Sequence, residues 1–482
     1  MSMSKSYVVA LLLVFLLAPY LIAANPVSAG SAATENTWAE LAPMNLARSY
    51  FGAVVLNGKI YAIGGCDQVA TGGSIIMPAS STTGGDTGAN EAYNPATGNW
   101  TSEAPMPTPR EGFAIATYQG KIYCIGGSTQ EPPIDMYGAV GVNEVYDPST
   151  NRWQEEALMP YPVADFEANV VDGKIYCIGG IDANNVGSKA NQVYDPATNT
   201  WSEDAPLPTA TFDYAMGTCN GKIYVINGIW WESDYGLDLN QIYNPQNDSW
   251  SLGAPPPYST EAWVGAGTDV GAATTGIMAP ERIYVFGIHT QIYNPVTNSW
   301  SLGEAISPSR GGFAVANVNG QLYVMGGSNF TGDLNGDVAT ETEFNLTELY
   351  TPVGYGTIRP EISILSPENQ TFNESNVALV FTVDRAVSWE GYSLDSKANV
   401  TLSGNETISG VPNGSHTITV YANDTFGNMG ASQTVNFTVA KPQPFPAITV
   451  AAVSGTVAAV MVAAGLLVYF KKRKRTPKVF LP

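Results

Sequence analysis

Positive charge is what this chain most lacks. Its 482 residues include 21 Lys and Arg against 42 Asp and Glu, a formal net charge of -21. Lys5 and six basic residues between Lys471 and Lys478 account for seven of the 21, so 14 basic residues face all 42 acidic ones elsewhere. A body this acidic repels phosphate backbones, which excludes nucleic acid as a partner. Histidine occurs only twice, as His289 and His416. Cysteine occurs four times, and the spacing of Cys66, Cys124, Cys177 and Cys219 fits no zinc motif. Charged residues make up only 13%, while 49 Gly, 32 Pro and 11% aromatics are present. That balance argues against long surface helices and for short strands joined by many turns.

Long apolar runs are missing except at the two ends. Lys5 precedes an apolar run from Tyr7 to about Ala24, the pattern of a secretory signal over 1–29. Residues 447–470 carry no charge, enough to span a hydrocarbon core of about 30 Å. The basic cluster of 471–482 follows at once, the expected cytoplasmic flank of a spanning helix. The ends thus predict a single-pass type I protein of the cell membrane, with everything between them extracellular.

What is present is repetition. Gly120-Lys121-Ile122-Tyr123-Cys124-Ile125-Gly126-Gly127 returns from Gly58 to Gly65, from Gly173 to Gly180, from Gly221 to Gly228 with Asn227 for the first paired Gly, and from Gly320 to Gly327. A degenerate copy runs from Arg282 to Gly287. Each copy follows an alternating segment and a Gln-Gly, Asp-Gly or Asn-Gly turn, the chemistry of a tight hairpin. The Gly-Gly ends the second strand where side chains do not fit. A third strand carries a Tyr, and a Trp opening a fourth strand always lies seven residues on: Tyr93 and Trp100, Tyr146 and Trp153, Tyr194 and Trp201, Tyr243 and Trp250, Tyr293 and Trp300. An unchanging gap predicts a fixed turn. Self-similarity of this kind outranks any other architectural signal in a sequence.

The Gly-Gly pair, the Tyr seven residues before a Trp, and a period of 48 to 62 residues over the first four copies resemble the Kelch repeat. The resemblance covers residues 36–356 and implies a six-bladed β-propeller, which limits the edge-strand problem by closing sheets into a ring. The sixth copy has no Trp after Tyr350, and the chain opens with a spare strand, Thr37-Trp38-Ala39-Glu40-Leu41. That strand is expected to complete the last sheet. The fifth copy is predicted to hold a long insert, Thr268 to Pro280, within its first hairpin.

After Gly356 the pattern changes. Alternating segments such as Ala378-Leu379-Val380-Phe381-Thr382-Val383 and His416 to Asp424, separated by polar turns, predict a small β-sandwich over 359–440. It resembles Ig-like modules of surface proteins and would serve as a spacer; a Pro-rich linker, 441–446, follows it. The whole reads as all-β: a six-bladed Kelch propeller, an Ig-like sandwich and one transmembrane helix. Asn-x-Ser/Thr sequons at Asn329, Asn345, Asn369, Asn373, Asn399, Asn405, Asn413, Asn423 and Asn436 are candidate glycan sites in an exported protein.

A Kelch propeller implies binding through the loops of one rim. Arg48, Arg110 and Arg310 each stand ten residues ahead of a hairpin Gly, in copies that become neighbours on closure. Asp165, Asp213 and Glu261 occupy the opposite arc, so a basic arc should face an acidic one. Arg forks would suit an anionic ligand, or would instead brace the loops they stand on, as the resemblance to Kelch blades implies. Trp230, Trp231 and Trp263 add aromatic weight for a sugar or a protein. Asp333, Asn335 and Asp337 alternate like the start of a calcium loop, but Val338 and Phe344 stand where that loop needs Gly and an acid. No other cofactor is implied. The chemistry of Kelch-type copper oxidases is excluded, since it needs two His in the propeller. Sialidase turns of Ser-x-Asp-x-Gly-x-Thr-Trp type are missing. The expected function is non-catalytic recognition of an extracellular glycan or protein. The alternative is a carbohydrate-active enzyme of the sialic-acid mutarotase type, with Arg110 and Glu111 on the rim. Cys124 and Cys177 hold one strand position in consecutive copies, too far apart for a bridge, so buried free thiols are expected.

Overall fold

The computed structural model describes residues 34–67, 69–73, 81–83, 85–129, 138–184, 186–229, 236–258, 271–331, 339–442, 461–468 and 471. The chain is all-β over these residues apart from a helical stretch at 461–468. Two units emerge, residues 1–276 with 281–355, and residues 277–280 with 356–482.

The first unit is built from six four-stranded antiparallel sheets. The second sheet is typical: Ala114–Tyr118, Lys121–Ile125, Asn143–Asp147 and Arg152–Glu155 pair in chain order. The hairpins turn on Asn57-Gly58, Gln119-Gly120, Asp172-Gly173, Asn220-Gly221 and Asn319-Gly320, with positive φ at both residues of every pair. This is the type I′ turn, whose twist matches that of the strands it joins. The innermost strands neighbour one another in sequence order, and Ala314–Val318 lies beside Gly52–Leu56, so the cycle closes as a propeller. In the sixth sheet Thr37–Glu40 pairs with Thr347–Thr351, setting Trp38 opposite Tyr350. The spare leading strand therefore completes the last sheet. In the fifth sheet Gly271–Thr274 pairs directly with Ile283–Phe286, so the predicted insert is corrected to a connection of residues 275–282.

The constant Tyr–Trp gap has a structural cause. Tyr146, Tyr194, Tyr243, Tyr293 and Tyr350 are fully buried, and each packs its ring 4.9–5.1 Å from a Trp of the same sheet. Each Trp indole N–H reaches back to a backbone carbonyl of the preceding sheet, as Trp153 does to Ala104 at 2.9 Å and Trp201 to Ala157 at 2.9 Å. The turn between Tyr and Trp contains an Asn at positive φ in the second, third and fifth sheets (Asn151, Asn199, Asn298) and Asp248 in the fourth. Asn151 Oδ1 accepts from the Tyr146 hydroxyl at 2.8 Å and from the Ala104 N–H at 2.8 Å. Asn tolerates that backbone region and brings its own acceptor. Asn36 plays this part for the sixth sheet, accepting from Tyr350 at 2.5 Å and from Glu304 N–H at 2.7 Å. The first sheet has Gly98 in the same turn, which keeps the conformation and gives up the acceptor.

The paired glycines sit where consecutive sheets touch. A Cβ on Gly126 (φ 66°) would lie 2.8 Å from the Phe166 ring of the next sheet, and one on Gly127 (φ 93°) 2.6 Å from the Glu111 carbonyl. An additional sheet joins the connections of the first and sixth sheets, in the order Ser328–Thr331, Ala339–Glu343, Val69–Gly73, Ser81–Thr83. It bridges the place where the ring closes.

The second unit has a three-stranded sheet with Ile362–Ser366 and Val377–Val383, and a larger sheet centred on Gly414–Asp424. Leu379, Phe381, Ile418, Val420 and Phe437 share its core.

The expected membrane location is corrected. Among the described residues no helix is long and apolar enough to cross a membrane. Of the apolar segment 447–470, residues 461–468 are helical and the rest lie outside the described residues. The signal segment 1–29 lies outside the described residues.

Candidate functional site

The rim that carries the loops is organised by two rings of backbone hydrogen bonds. In the outer ring, the second glycine of each pair donates its N–H to the following sheet: Gly65 to Arg110 O at 3.0 Å, Gly127 to Val163 O at 2.9 Å, Gly180 to Thr211 O at 3.0 Å and Gly327 to Arg48 O at 2.9 Å. In the inner ring, Tyr50 N–H binds Gly312 O, Gly112 N–H binds Tyr50 O, Asp165 N–H binds Gly112 O, and Asp213 N–H binds Asp165 O, at 2.7–3.1 Å. All five residues have positive φ, between 50° and 59°. Asp165 and Asp213 therefore belong to this chain of backbone bonds, both half-buried.

The arginines are placed differently. Arg48, Arg110 and Arg310 are 0–1% exposed. Arg110 donates to Gly126 O at 2.8 Å, Cys124 O at 2.8 Å and Thr108 O at 2.9 Å, and forms an ion pair with Glu144. Arg310 binds Gly326 O at 2.7 Å and Glu348 at 2.6 Å, and Arg48 pairs with Glu91 at 3.0 Å. Desolvation by burial lowers the Arg48 pKa to about 10 even against the pull of Glu91, and lowers that of Arg310, yet both stay charged at neutral pH. Three guanidinium groups are thus turned inward and neutralised: the basic arc expected on the surface is corrected, and the loop-bracing alternative is the arrangement found. What these forks grip is the loop of their own sheet.

The carboxylate partners lie at one position, the second residue of the third strand. It is Glu91, Glu144 and Glu348 in the sheets that have an arginine, and Gln192, Gln241 and Gln291 in the other three. Each glutamine clamps its loop with both amide atoms. Gln192 accepts from Tyr161 N–H at 2.9 Å and donates to Tyr161 O at 2.9 Å; Gln241 does the same with Thr209, and Gln291 with Tyr258, at 2.9–3.1 Å. Glu144 keeps the acceptor half of this pattern, to Thr108 N–H at 3.1 Å, and leaves the other half to Arg110. A buried carboxylate without a cation is costly, so acid and arginine come and go together. The Glu and Gln choice was legible beside the arginines, and reasoning from the loops alone missed it.

Glu111 is half-buried beside Cys66 and Asp86. Trp230, Trp231, Glu261, Trp263, Asp333, Asn335 and Asp337, with the calcium loop they include, lie outside the described residues. Of the sequons, Asn369, Asn373, Asn399, Asn405, Asn413 and Asn436 are exposed; Asn329, Asn345 and Asn423 are half-buried. All four cysteines are buried and none is in a disulfide, and burial pushes the Cys124 thiol up to about 12.

The Kelch motif is matched over residues 47–76, 109–160 and 162–208, the first three sheets. Beta-scruin of Limulus polyphemus is 30% identical over 155 residues, 32% of this chain and 15% of that protein. Kelch-like protein 35 of Mus musculus is 27% identical over 184 residues, 30% of this chain and 29% of that protein. The matches thus span less than a third of these relatives' own length. The solved structure of YjhT is 16% identical, covers 63% of this chain and 95% of its own, with a TM-score of 0.48. The chain carries Kelch repeats on a β-propeller, a scaffold that generally mediates protein binding.

Proposed function

We propose that the first unit is a six-bladed propeller that holds a protein partner on its loop-bearing rim, without catalysis, and that the partner presents a basic surface. The observation that carries this reading is the charge of the connecting segments in the sequence, set beside the burial of the arginines. The connections after the paired glycines, residues 66–89, 128–142, 181–190, 229–239 and 328–346, contain twelve Asp and Glu against one basic residue, Lys189. Lys189 is itself bound to Pro208 O at 2.8 Å. Clustered charge of one sign steers an oppositely charged partner and sets its orientation. The second unit reads as an Ig-like accessory module.

The test is capture of synthetic peptides and glycans by the full chain at low and high salt. Lys- and Arg-rich peptides should bind, and weaken as salt rises; acidic peptides and anionic glycans should not. Capture of anionic glycans alone would overturn the charge argument. Accelerated anomerisation of a captured sugar would overturn the non-catalytic reading.

A further inference from the structure

We propose that Cys66, Asp86 and Glu111 form a binding site for a divalent transition-metal ion of the zinc class, at the junction of the first and second sheets. Their donor atoms, the Cys66 Sγ and one carboxylate oxygen from each acid, all lie within 4.8 Å of one another. Cys66 is buried, and Asp86 and Glu111 are half-buried, so the cluster is shielded yet open to an arriving ion. Zinc bonds of about 2.0–2.3 Å in a tetrahedron hold O and S donors roughly 3.4–3.6 Å apart. Side-chain rotations of about 1 Å would close the set. Thiolate with carboxylates suits zinc-like ions better than calcium or magnesium, which take oxygen alone. Three protein donors leave a fourth position for water.

The repeats supply an internal control. Cys66 forms backbone bridges to Ser49 and Asp86, directly after the paired glycines. The same bridges put Ser128, Ala139 and Ala164 at the matching places of the next junction. At the one after, the places are taken by Ile181, Gly187 and Phe212, and Ile181, Phe212, Ala164 and Ile229 form an apolar cluster there. At the closing junction Glu343 is matched by Ser49, whose hydroxyl donates to it at 3.0 Å. The first junction alone among these sets a carboxylate against a second carboxylate and a thiol. Of the other three junctions two pack with small or apolar residues and the closing one holds a single carboxylate against a hydroxyl, so the first alone brings together the donors that a metal ion needs. A shared cation removes the repulsion that such neighbours otherwise suffer.

Cobalt(II) added to the metal-free full chain tests the site, because a thiolate ligand gives a near-ultraviolet charge-transfer band. One equivalent should bind with that band, zinc should displace it, and Cys66→Ser should abolish it. Cys219→Ser, far along the ring and beside Glu281, should keep it. Glu111→Gln should weaken cobalt by more than the roughly 10- to 100-fold that losing an outer partner costs. A chain with no band, or a band that survives Cys66→Ser or vanishes with Cys219→Ser, would overturn the site. If Cys66→Ser does not fold, Glu111→Gln decides: unchanged affinity refutes the proposal, and the stated loss supports it.

Discussion

Exchanging the Arg110–Glu144 pair for the solution found in the third sheet is the sharpest test of the rim's construction. Arg110→Val copies Val163, and Glu144→Gln copies Gln192. The single Arg110→Val change removes three hydrogen bonds to carbonyls and leaves the Glu144 carboxylate, 1% exposed, without its cation. Breaking a buried pair from one side costs about 3–5 kcal/mol. Glu144→Gln alone strands the guanidinium and should cost a similar amount. In the double variant the amide can take over both halves of the loop contact, as Gln192 does with Tyr161 at 2.9 Å. What remains lost is the arginine's grip on Gly126 and Cys124, about 1 kcal/mol for each hydrogen bond. The double should therefore be more stable than Arg110→Val: single costs that sum to about 6–10 kcal/mol against about 2 kcal/mol for the pair leave a coupling of about 4–8 kcal/mol between the sites. Urea unfolding followed by tryptophan fluorescence gives the numbers, as a shift of midpoint at constant slope. If the two single costs add to within about 0.5 kcal/mol, charge compensation is not what ties these positions together.

Three further outcomes follow from the geometry. Asn36→Gly keeps the turn (φ 55°) but loses the acceptor for Tyr350 and Glu304, and should cost about 1–2 kcal/mol in thermal melts, whereas Gly98→Asn should gain a fraction of that. Gly126→Ala should destabilise by more than Gly120→Ala: both glycines have positive φ, but a methyl at 126 meets the Phe166 ring at 2.8 Å, while nothing lies within 4 Å of one at 120. Equal midpoints would refute the close-approach argument. In the second unit burial opposes a charge on His416, but the Asp395 carboxylate at 2.9 Å and the Pro412 carbonyl at 2.9 Å outweigh it, so its pKa is raised; that of Asp395, despite some desolvation, is lowered. The histidine's contribution is complete below its ordinary pKa of about 6.5 and fades as pH climbs through the raised value; the aspartate's is complete above about 3.9 and fades on acidification. Stability of this unit should peak between those limits. With only two histidines in the chain, proton NMR can follow His416 directly, and a midpoint at or below 6.5 would contradict the assignment.

The propeller was legible in the sequence because its signals are local and repeated. Asn-Gly and Gln-Gly turns, the Lys-Ile-Tyr strand and the Tyr–Trp gap each specify one hairpin, and six hairpin pairs leave little choice of architecture. Even the closing strand could be read, since Trp38 lacked a Tyr seven residues before it and Tyr350 lacked a Trp after it. The rim was harder. An arginine ahead of an inner strand reads as surface charge until its glutamate, 34 to 43 residues on, is paired with it. The additional sheet was missed because Val69–Gly73 and Ala339–Glu343 are rich in Thr, Ala and Gly and show no apolar alternation. Cys66, Asp86 and Glu111 come from three separate segments, and only the folded ring brings them together.

The leading strand also imposes a schedule on synthesis. Thr37 meets Thr351, about 310 residues later, and at roughly 5–20 residues per second a ribosome needs some 15–60 s to cover that distance. Throughout that interval the strand has no mate and the sixth sheet does not exist. The stitching of Val69–Gly73 to Ala339–Glu343 gives the nascent chain a second clasp at that same late moment, so the youngest joint in the molecule is the one fastened twice.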